Sequence, residues 1–327
     1  MKALVTGATG FTGSHLSRYL VARGDAVRVL VRASSNPAAL RGLSVETAPG
    51  DLADESPLDD AMHAIDVVYH IGAVYRAENL PKRAFWDVNV RGTRKLLEAA
   101  KRAGVKRFVH CSTVGVQGDI EHPPAREDAP YHPGDHYQES KRDGELLALD
   151  FGRREGLAVS VVRPTGIYGP GDTRFLKLFR TINNGTFRMI GSGKVLYHLT
   201  YVEDLAAGLV LAGECPAAIG EVFTVGGNGY LTLNELVAKI AKVLGRKISG
   251  MSIPVWPVWF AGLACEVLCK PFGISPPIYR RRVDFFTKSR AFDITKAKTL
   301  LGYQPRVSLD DGLARTASWY REQGLLR

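Results

Sequence analysis

Three glycines at positions 7, 10 and 13, directly after the apolar run Lys2–Thr6, constrain this chain more than any other feature. Residues 2–6 read as a strand and 13–23 as a helix, so the glycines fall in the turn between them. Each has its own reason to be there. The first permits the tight turn, the second lets backbone amides close on a pyrophosphate, and the third lets the helix pack against the strand. The helix start then offers unpaired amides and a partial positive charge to phosphates. Gly7, Thr9, Gly10, Phe11, Thr12 and Gly13 are the expected phosphate cradle of a dinucleotide.

The first half of the chain repeats this alternation. Segments 26–31, 67–71, 107–111 and 158–163, and a run ending near Gly50-Asp51, read as strands. Segments 58–64, 90–103 and 137–154 read as helices. Strands separated by helices of this length specify an α/β fold, a Rossmann-type doubly wound parallel sheet with helices on both faces. Beyond Arg163 the rhythm breaks, with frequent Pro, Gly and aromatic residues. The expected division is a dinucleotide-binding domain over 1–165, its sheet completed by segments near 195–225, and a smaller α/β substrate lobe over 166–327. That lobe should lie over the carboxyl edge of the sheet, where such sheets bind ligands.

Charge refines the ligand. Lys and Arg number 43 against 33 Asp and Glu, a net charge of +10, yet no basic run interleaved with aromatics occurs. A small phosphorylated ligand fits this better than nucleic acid. The second strand ends in Val31-Arg32, where an acid would hold the ribose 2′-hydroxyl of NAD. With no carboxylate to repel a 2′-phosphate, and Arg32 beside Ser34 and Ser35 to bind one, the pattern favours NADP over NAD. Asp51, ending the third strand, is placed to reach the adenine edge.

The four cysteines are too scattered for a disulfide framework or a zinc site, and Cys265 and Cys269 read as small buried apolar side chains. The N-terminus enters a strand at once. The apolar run 253–268 contains Pro254, Pro257 and Glu266 and is shorter than a membrane span requires. A cytoplasmic protein without a transmembrane segment is expected.

Tyr137 and Lys141, four residues apart, project from one face of a helix. A free phenol with a pKa near ~10 is a poor base at neutral pH. A nearby ammonium favours the phenolate and lowers that value. Tyr137 could then exchange a proton with a substrate oxygen as hydride moves, while Lys141 holds a ribose. A hydroxyl from Ser112 or Thr113, at the end of the fifth strand, should orient that oxygen and the other should cap a turn.

These residues together resemble the extended, or atypical, short-chain dehydrogenase/reductase family, which includes NAD-dependent epimerases, dehydratases and 3β-hydroxysteroid dehydrogenases. The matching segments are Thr6-Gly-x-x-Gly-x-x-Gly13, Gly50-Asp51-Leu52, His70-Ile-Gly-Ala73, Val88-Asn-Val-Arg-Gly-Thr93, Ser112-Thr113, Tyr137-x-x-x-Lys141, Arg163-Pro164, Tyr168-Gly-Pro-Gly-Asp172 and Tyr201-Val-Glu-Asp204. The resemblance implies Thr113 as the catalytic hydroxyl, Tyr137 as the acid/base and Lys141 as its partner. It implies cofactor contacts from Leu52, Ala73, Pro164 and Ile167, and substrate contacts from Tyr75, Ser112, Gly166, His198 and Arg281. Asn89 is implied either as a catalytic group or as a tie between strand and helix.

Two branches of the family fit. Sugar-nucleotide enzymes carry an Asn where this chain has Gly166, and an Arg near Tyr197-His198, so both departures weaken that branch. Segments 163–172 and 297–305 look like the sterol branch, which has an apolar segment at 253–268 that could line a pocket, rest on a membrane or form lobe core. Arg280-Arg281-Arg282 could clamp a substrate phosphate. The expected activity is hydride transfer at a secondary alcohol or ketone of a lipophilic, sterol-like small molecule. The alternatives are a nucleotide-sugar epimerase, dehydratase or reductase with tightly held NAD, and a non-catalytic dinucleotide sensor. The family also implies a homodimer through helices 90–103 and 137–154, with Leu96, Leu97, Leu146 and Leu147 on their outer faces.

Overall fold

The computed structural model describes residues 1–54, 58–75, 80–248, 250, 252–269 and 283–326. The first half runs β1 (Lys2–Thr6), α1 (Phe11–Ala22), β2 (Ala26–Val31), β3 (Glu46–Pro49), α2 (Asp59–Met62), β4 (Val67–His70), α3 (Lys82–Trp86), α4 (Thr93–Arg102), β5 (Arg107–Cys111), α5 (His136–Glu155) and β6 (Val159–Pro164). There follow β7 (Gly166–Tyr168), α6 (Leu176–Asn183), β8 (Met189–Ile190), β9 (Leu196–Tyr201), α7 (Val202–Glu214), β10 (Val222–Val225), β11 (Tyr230–Thr232) and α8 (Leu233–Leu244). The chain ends with β12 (Ser252–Ile253), α9 (Val255–Cys269), α10 (Asp284–Thr287), α11 (Thr295–Leu301) and α12 (Leu309–Glu322).

Seven strands form one parallel sheet in the order β10-β6-β5-β4-β1-β2-β3. The winding runs outward from β1 to β3, then returns to β4 on the other side of β1. This reversal opens a crevice beyond the carboxyl ends of β1 and β4, the position where sheets of this kind bind ligands. The strands are apolar on both sides because both faces are covered. Leu16, Leu20, Leu205, Leu209 and Ala297, from α1, α7 and α11, pack on Val5, Val29 and Val109. Met62, Leu96, Leu97 and Ala148, from α2, α4 and α5, pack on Leu4, Val68 and Phe108.

A separate core fills the smaller lobe, where Phe179, Leu236, Ile240 and Tyr320 of α6, α8 and α12 surround Tyr168 and Tyr201. The antiparallel pair β9–β11 and the parallel pair β7–β9 form its small sheet. The division is not linear in sequence. Helix α7, strand β10 and helix α11 return to the large sheet after the lobe has begun.

Three expectations are corrected. Leu96 and Leu97 are 0% exposed and face the sheet, so they cannot form an intersubunit surface; of the four leucines named, Leu146 is the exposed one. Cys265 and Cys269 are partly exposed on α9 rather than buried. That helix is not lobe core either, since Gly262 is its one buried residue. Among the described residues no helix is long and apolar enough to cross a membrane.

The buried pair Arg163–Glu145 locks β6 to α5. Glu145 is 0% exposed and Arg163 1%, and the guanidinium Nη2 lies 2.5 Å from Glu145 Oε1. Arg163 also donates to the Glu127 carbonyl at 2.9 Å and to the Tyr131 hydroxyl at 3.0 Å. The Tyr131 hydroxyl in turn donates to Glu145 Oε1 at 2.8 Å. These bonds tie the loop carrying Glu127 and Tyr131 to strand and helix.

Candidate active site

Gly7 takes φ +68°, and a Cβ there would lie 2.8 Å from the Gly72 backbone. The turns after β1 and β4 therefore touch at a point where only glycine fits. The Gly10 amide donates to the Gly7 carbonyl at 3.0 Å. Helix α1 then starts from Gly10 with no side-chain cap, which leaves its first-turn amides to an external acceptor. A Cβ on Gly13 would meet the Gly7 carbonyl carbon at 2.7 Å and Ala8 Cα at 2.9 Å. These uncapped amides, in a cradle that added Cβ atoms would fill, fit a dinucleotide pyrophosphate.

Gly13→Ala is expected to push α1 off the turn. Dinucleotide affinity should fall roughly tenfold or more. Fluorescence titration with NADPH reads this directly, and unchanged affinity would remove the turn from the binding site.

Arg32 is exposed just past β2, where its carbonyl accepts from the Ser35 amide at 2.9 Å. The Asp51 carboxylate accepts from the Ala53 amide at 3.0 Å. Leu52 is buried beneath Gly72 and Gly92. Thr9 and Thr12 are partly exposed on the turn and Ala73 is exposed beyond β4, whereas Pro164 is buried at the end of β6 and Ile167 half-buried in β7.

Helix α5 is set by Asp135, whose carboxylate caps it by accepting from the Gln138 amide at 2.8 Å. One turn in, Lys141 is 2% exposed. Its Nζ donates to the Cys111 carbonyl at 2.7 Å and faces His110 Nε2 at 3.5 Å. Burial pushes the Lys141 pKa down, and burial together with the Lys141 charge holds His110 well below the ordinary histidine value. His110 is therefore neutral and its Nε2 can accept from the ammonium. Tyr137, one turn before Lys141, packs edge-on against Tyr75, with ring centroids 4.9 Å apart. Tyr75 is 47% exposed and rims the crevice.

The two neighbouring hydroxyls differ. Thr113 Oγ1 accepts from the Gly115 amide at 3.1 Å, capping a short 3-10 turn, and keeps its own proton to donate. Ser112 is 3% exposed, and among the described residues its Oγ has no hydrogen-bond partner.

Beneath the site runs a buried polar chain. The Gly72 amide donates to Thr6 Oγ1 at 3.0 Å, and Thr6 lies 2.8 Å from His70 Nδ1. His70 Nε2 lies 2.9 Å from Thr93 Oγ1, which donates to the Asn89 carbonyl at 2.8 Å. With the Thr93 proton spent on Asn89, His70 Nε2 must carry the hydrogen and Nδ1 accepts from Thr6. The Asn89 side chain holds the Val74 backbone at both ends, at 2.8 and 3.1 Å, and donates to Ser140 at 2.9 Å. Asn89 sits within a single π-helical turn, Asp87–Gly92, ahead of α4. Of its two expected roles, these bonds describe the tie: Asn89 fixes the Tyr75 loop to α5.

Burial holds the His70 imidazole down to about 3, against an ordinary value of 6.5. With the folded value below the unfolded one, its contribution is complete above pH 6.5 and is lost as the pH falls toward 3. At pH 5 the loss is about 2 kcal/mol, and His110 adds to it in the same direction. Urea midpoints at pH 7 and pH 5 should differ accordingly, with a smaller gap in His70→Asn. Equal stability at both pH values would contradict the neutral buried histidine.

Three expected substrate contacts fare differently from Tyr75. His198 is 3% exposed, with its ring nitrogens 3.1 Å from the Phe292 carbonyl and 2.9 Å from the Gly227 carbonyl. Burial lowers its pKa, so the ring is neutral and donates from one nitrogen to one of the two carbonyls between which it is packed. Gly166 lies in β7, where a Cβ would meet Leu199 Cδ2 at 2.7 Å and the His198 carbonyl at 3.2 Å, so a side chain here would have to displace that of Leu199. Arg281 lies outside the described residues.

One residue escaped the sequence reading. The segment 169–174 folds back over the glycine turn, and His15 Nε2 sits 2.8 Å from the Pro170 carbonyl. The Arg174 guanidinium then stacks 5.4 Å from the Phe11 ring centroid and 5.9 Å from that of Tyr75. Its charge is met by the buried Asp172 at 2.5 Å. Arg174 thereby bridges the phosphate cradle and the aromatic pair at Tyr137. The available signal was Gly169 and Gly171, at φ +147° and +97°, which turn the chain back on itself.

Residues 3–226 match the NAD dependent epimerase/dehydratase family. The chain is 31% identical to the Sterol demethylase protein B of Methylococcus capsulatus, covering 100% of both chains. It is 30% identical to the N-acetyl-alpha-D-glucosaminyl-diphospho-ditrans,octacis-undecaprenol 4-epimerase of Escherichia coli O157:H7, over 97% of this chain and 94% of that protein. Among solved structures, the dTDP-glucose 4,6-dehydratase DesIV of Streptomyces venezuelae, with NAD and TYD bound, superposes with a TM-score of 0.78. That match is 29% identical and covers 100% of this chain and 99% of DesIV.

Proposed function

Because the chain belongs to the NAD dependent epimerase/dehydratase family, an enzyme family of the extended short-chain dehydrogenase/reductase type, we propose that it catalyses hydride transfer at a secondary alcohol or ketone, with Tyr137 as the acid/base. The observation that carries this reading is that Tyr137 packs on Tyr75 beyond β4 while Lys141, one turn further along α5, is buried and donates to the Cys111 carbonyl at the end of β5, two residues before Thr113. The nicotinamide, when bound, supplies or accepts the hydride. The protein's own task is to bind, orient and move one proton.

The amides at the start of α1 hold the pyrophosphate, and Arg32, with no acid beside it at the end of β2, favours NADP. Thr113, its oxygen already bonded to Gly115, donates its proton to the substrate oxygen. The Tyr137 hydroxyl donates a proton to that oxygen in reduction and takes it back in oxidation. Lys141 favours the phenolate by its charge. Tyr75, held by Asn89 through Val74 and covered by Arg174, keeps Tyr137 packed on one side.

For the substrate, a lipophilic alcohol or ketone is the better fit. Two positions that serve phosphate binding in sugar-nucleotide enzymes are Gly166, where a side chain would have to displace Leu199, and the His198 region, where a buried neutral ring lies between two backbone carbonyls. The similarity to Sterol demethylase protein B points the same way. The likeness to the nucleotide-sugar enzyme DesIV favours the second reading, an epimerase or dehydratase that keeps its NAD. In either reading the chain works as a homodimer through the outer faces of α4 and α5, where Leu146 is exposed.

Oxidation of NADH and NADPH, assayed against ketosteroids and nucleotide sugars, separates the two. Turnover of a ketosteroid with freely exchanging NADPH is the expected result. Stoichiometric NAD that survives gel filtration, together with interconversion of nucleotide-sugar epimers, would replace it with the second reading.

A further inference from the structure

Helix α9 is built against the usual rule for a surface helix. It spans Val255–Cys269, Gly262 is its one buried residue, and Glu266 its one charged residue. Trp256, Phe260, Ala264, Val267 and Leu268 are all exposed, at 4, 4, 3 and 1 residue steps. That spacing puts them on a single stripe. Trp256 is 67% exposed, Phe260 57% and Leu268 67%, with Trp259 beside them packed edge-on to Phe260. An outward stripe with no polar side chain over three turns marks a surface that meets something apolar.

The surroundings say what it meets. The short pair β8–β12 pins the base of α9, with Met189 opposite Ser252 and Ile190 opposite Ile253. Arg188 adjoins Met189, Lys194 follows β8, and Arg246 and Lys247 precede β12. None of these four cations has an ion-pair partner among the described residues, and the whole chain carries a net charge of +10. Exposed aromatics on α9, with unneutralised cations flanking in sequence the β8–β12 pair at its base, match an anionic bilayer, whose headgroups attract the cations while rings enter the acyl boundary. At 15 residues the helix is about 22 Å long, short of the ~30 Å hydrocarbon core, so it lies in the interface and does not span.

From this we infer that α9 docks the protein on the surface of an anionic lipid bilayer. The inference stands on the exposed stripe and its cations and does not depend on the hydride-transfer reading.

Co-sedimentation with vesicles of phosphatidylglycerol and phosphatidylcholine tests it on the full chain. Wild-type protein should pellet with these vesicles, more weakly with phosphatidylcholine alone, and less at high salt. Trp256→Ser combined with Phe260→Ser should lower the partition roughly tenfold or more. Because both side chains are exposed, thermal stability should be unchanged. Wild-type protein that stays in the supernatant, or a double variant that pellets equally, overturns the inference. So does a lipid-free dimer that the double variant dissociates, since the stripe would then be a protein–protein interface.

Discussion

Tyr137→Phe should lose about a thousandfold in kcat while binding NAD(P)H as tightly as the parent protein. The ring is kept, so its edge-on contact with Tyr75 is kept, and only the transferable proton is removed. A factor of a thousand corresponds to ~4 kcal/mol of barrier, within the range of a positioned general acid. Lys141→Met should also lower kcat and should move the alkaline arm of the pH–rate profile, because the ammonium acts through the phenol. A Tyr137→Phe protein with full turnover would remove the proposed acid/base outright.

The second large effect is on stability. Glu145→Leu should destabilise the fold by about 3–5 kcal/mol, since it leaves the Arg163 guanidinium buried and without its carboxylate. Against a total of ~5–15 kcal/mol this is enough to lower the unfolding midpoint well clear of the parent's. Glu145→Leu combined with Arg163→Met should recover most of the loss, because an apolar pair of similar volume needs no compensating charge. Denaturant unfolding of the three proteins is the measurement. A Glu145→Leu variant as stable as the parent would mean that the pair is solvated after all.

Which parts were legible in the sequence follows from the range of the interactions involved. Strands β1, β2 and β5 occupy the runs expected of them, because period and β-branched content are local signals. The glycine turn and the Tyr137–Lys141 spacing are local as well, and both lie at the crevice. What stayed hidden depends on side chains that meet across the fold. Glu145 and Arg163 are 18 residues apart, and nothing in a helix reading of α5 says that this carboxylate faces the sheet. Arg174 reaches Phe11 only because two glycines reverse the chain over the phosphate turn.

The errors share a cause. The dimer implied by resemblance sets Leu96 and Leu97 on an outer face, whereas the helix phase puts both against Leu4, Val68 and Phe108. His198, implied as a substrate contact by its place in a motif, is buried with its ring between two backbone carbonyls. In each case a side chain with the right chemistry was claimed first by packing.

The central claim is that the glycine turn and the Tyr137–Lys141 pair serve one dinucleotide, and a crystal structure of the protein with NADPH tests it most directly. The account predicts phosphate density on the α1 amides at Phe11 and Thr12, with the nicotinamide end beside Tyr137 and Lys141. Density for the dinucleotide elsewhere, or a nicotinamide remote from Tyr137, would contradict it.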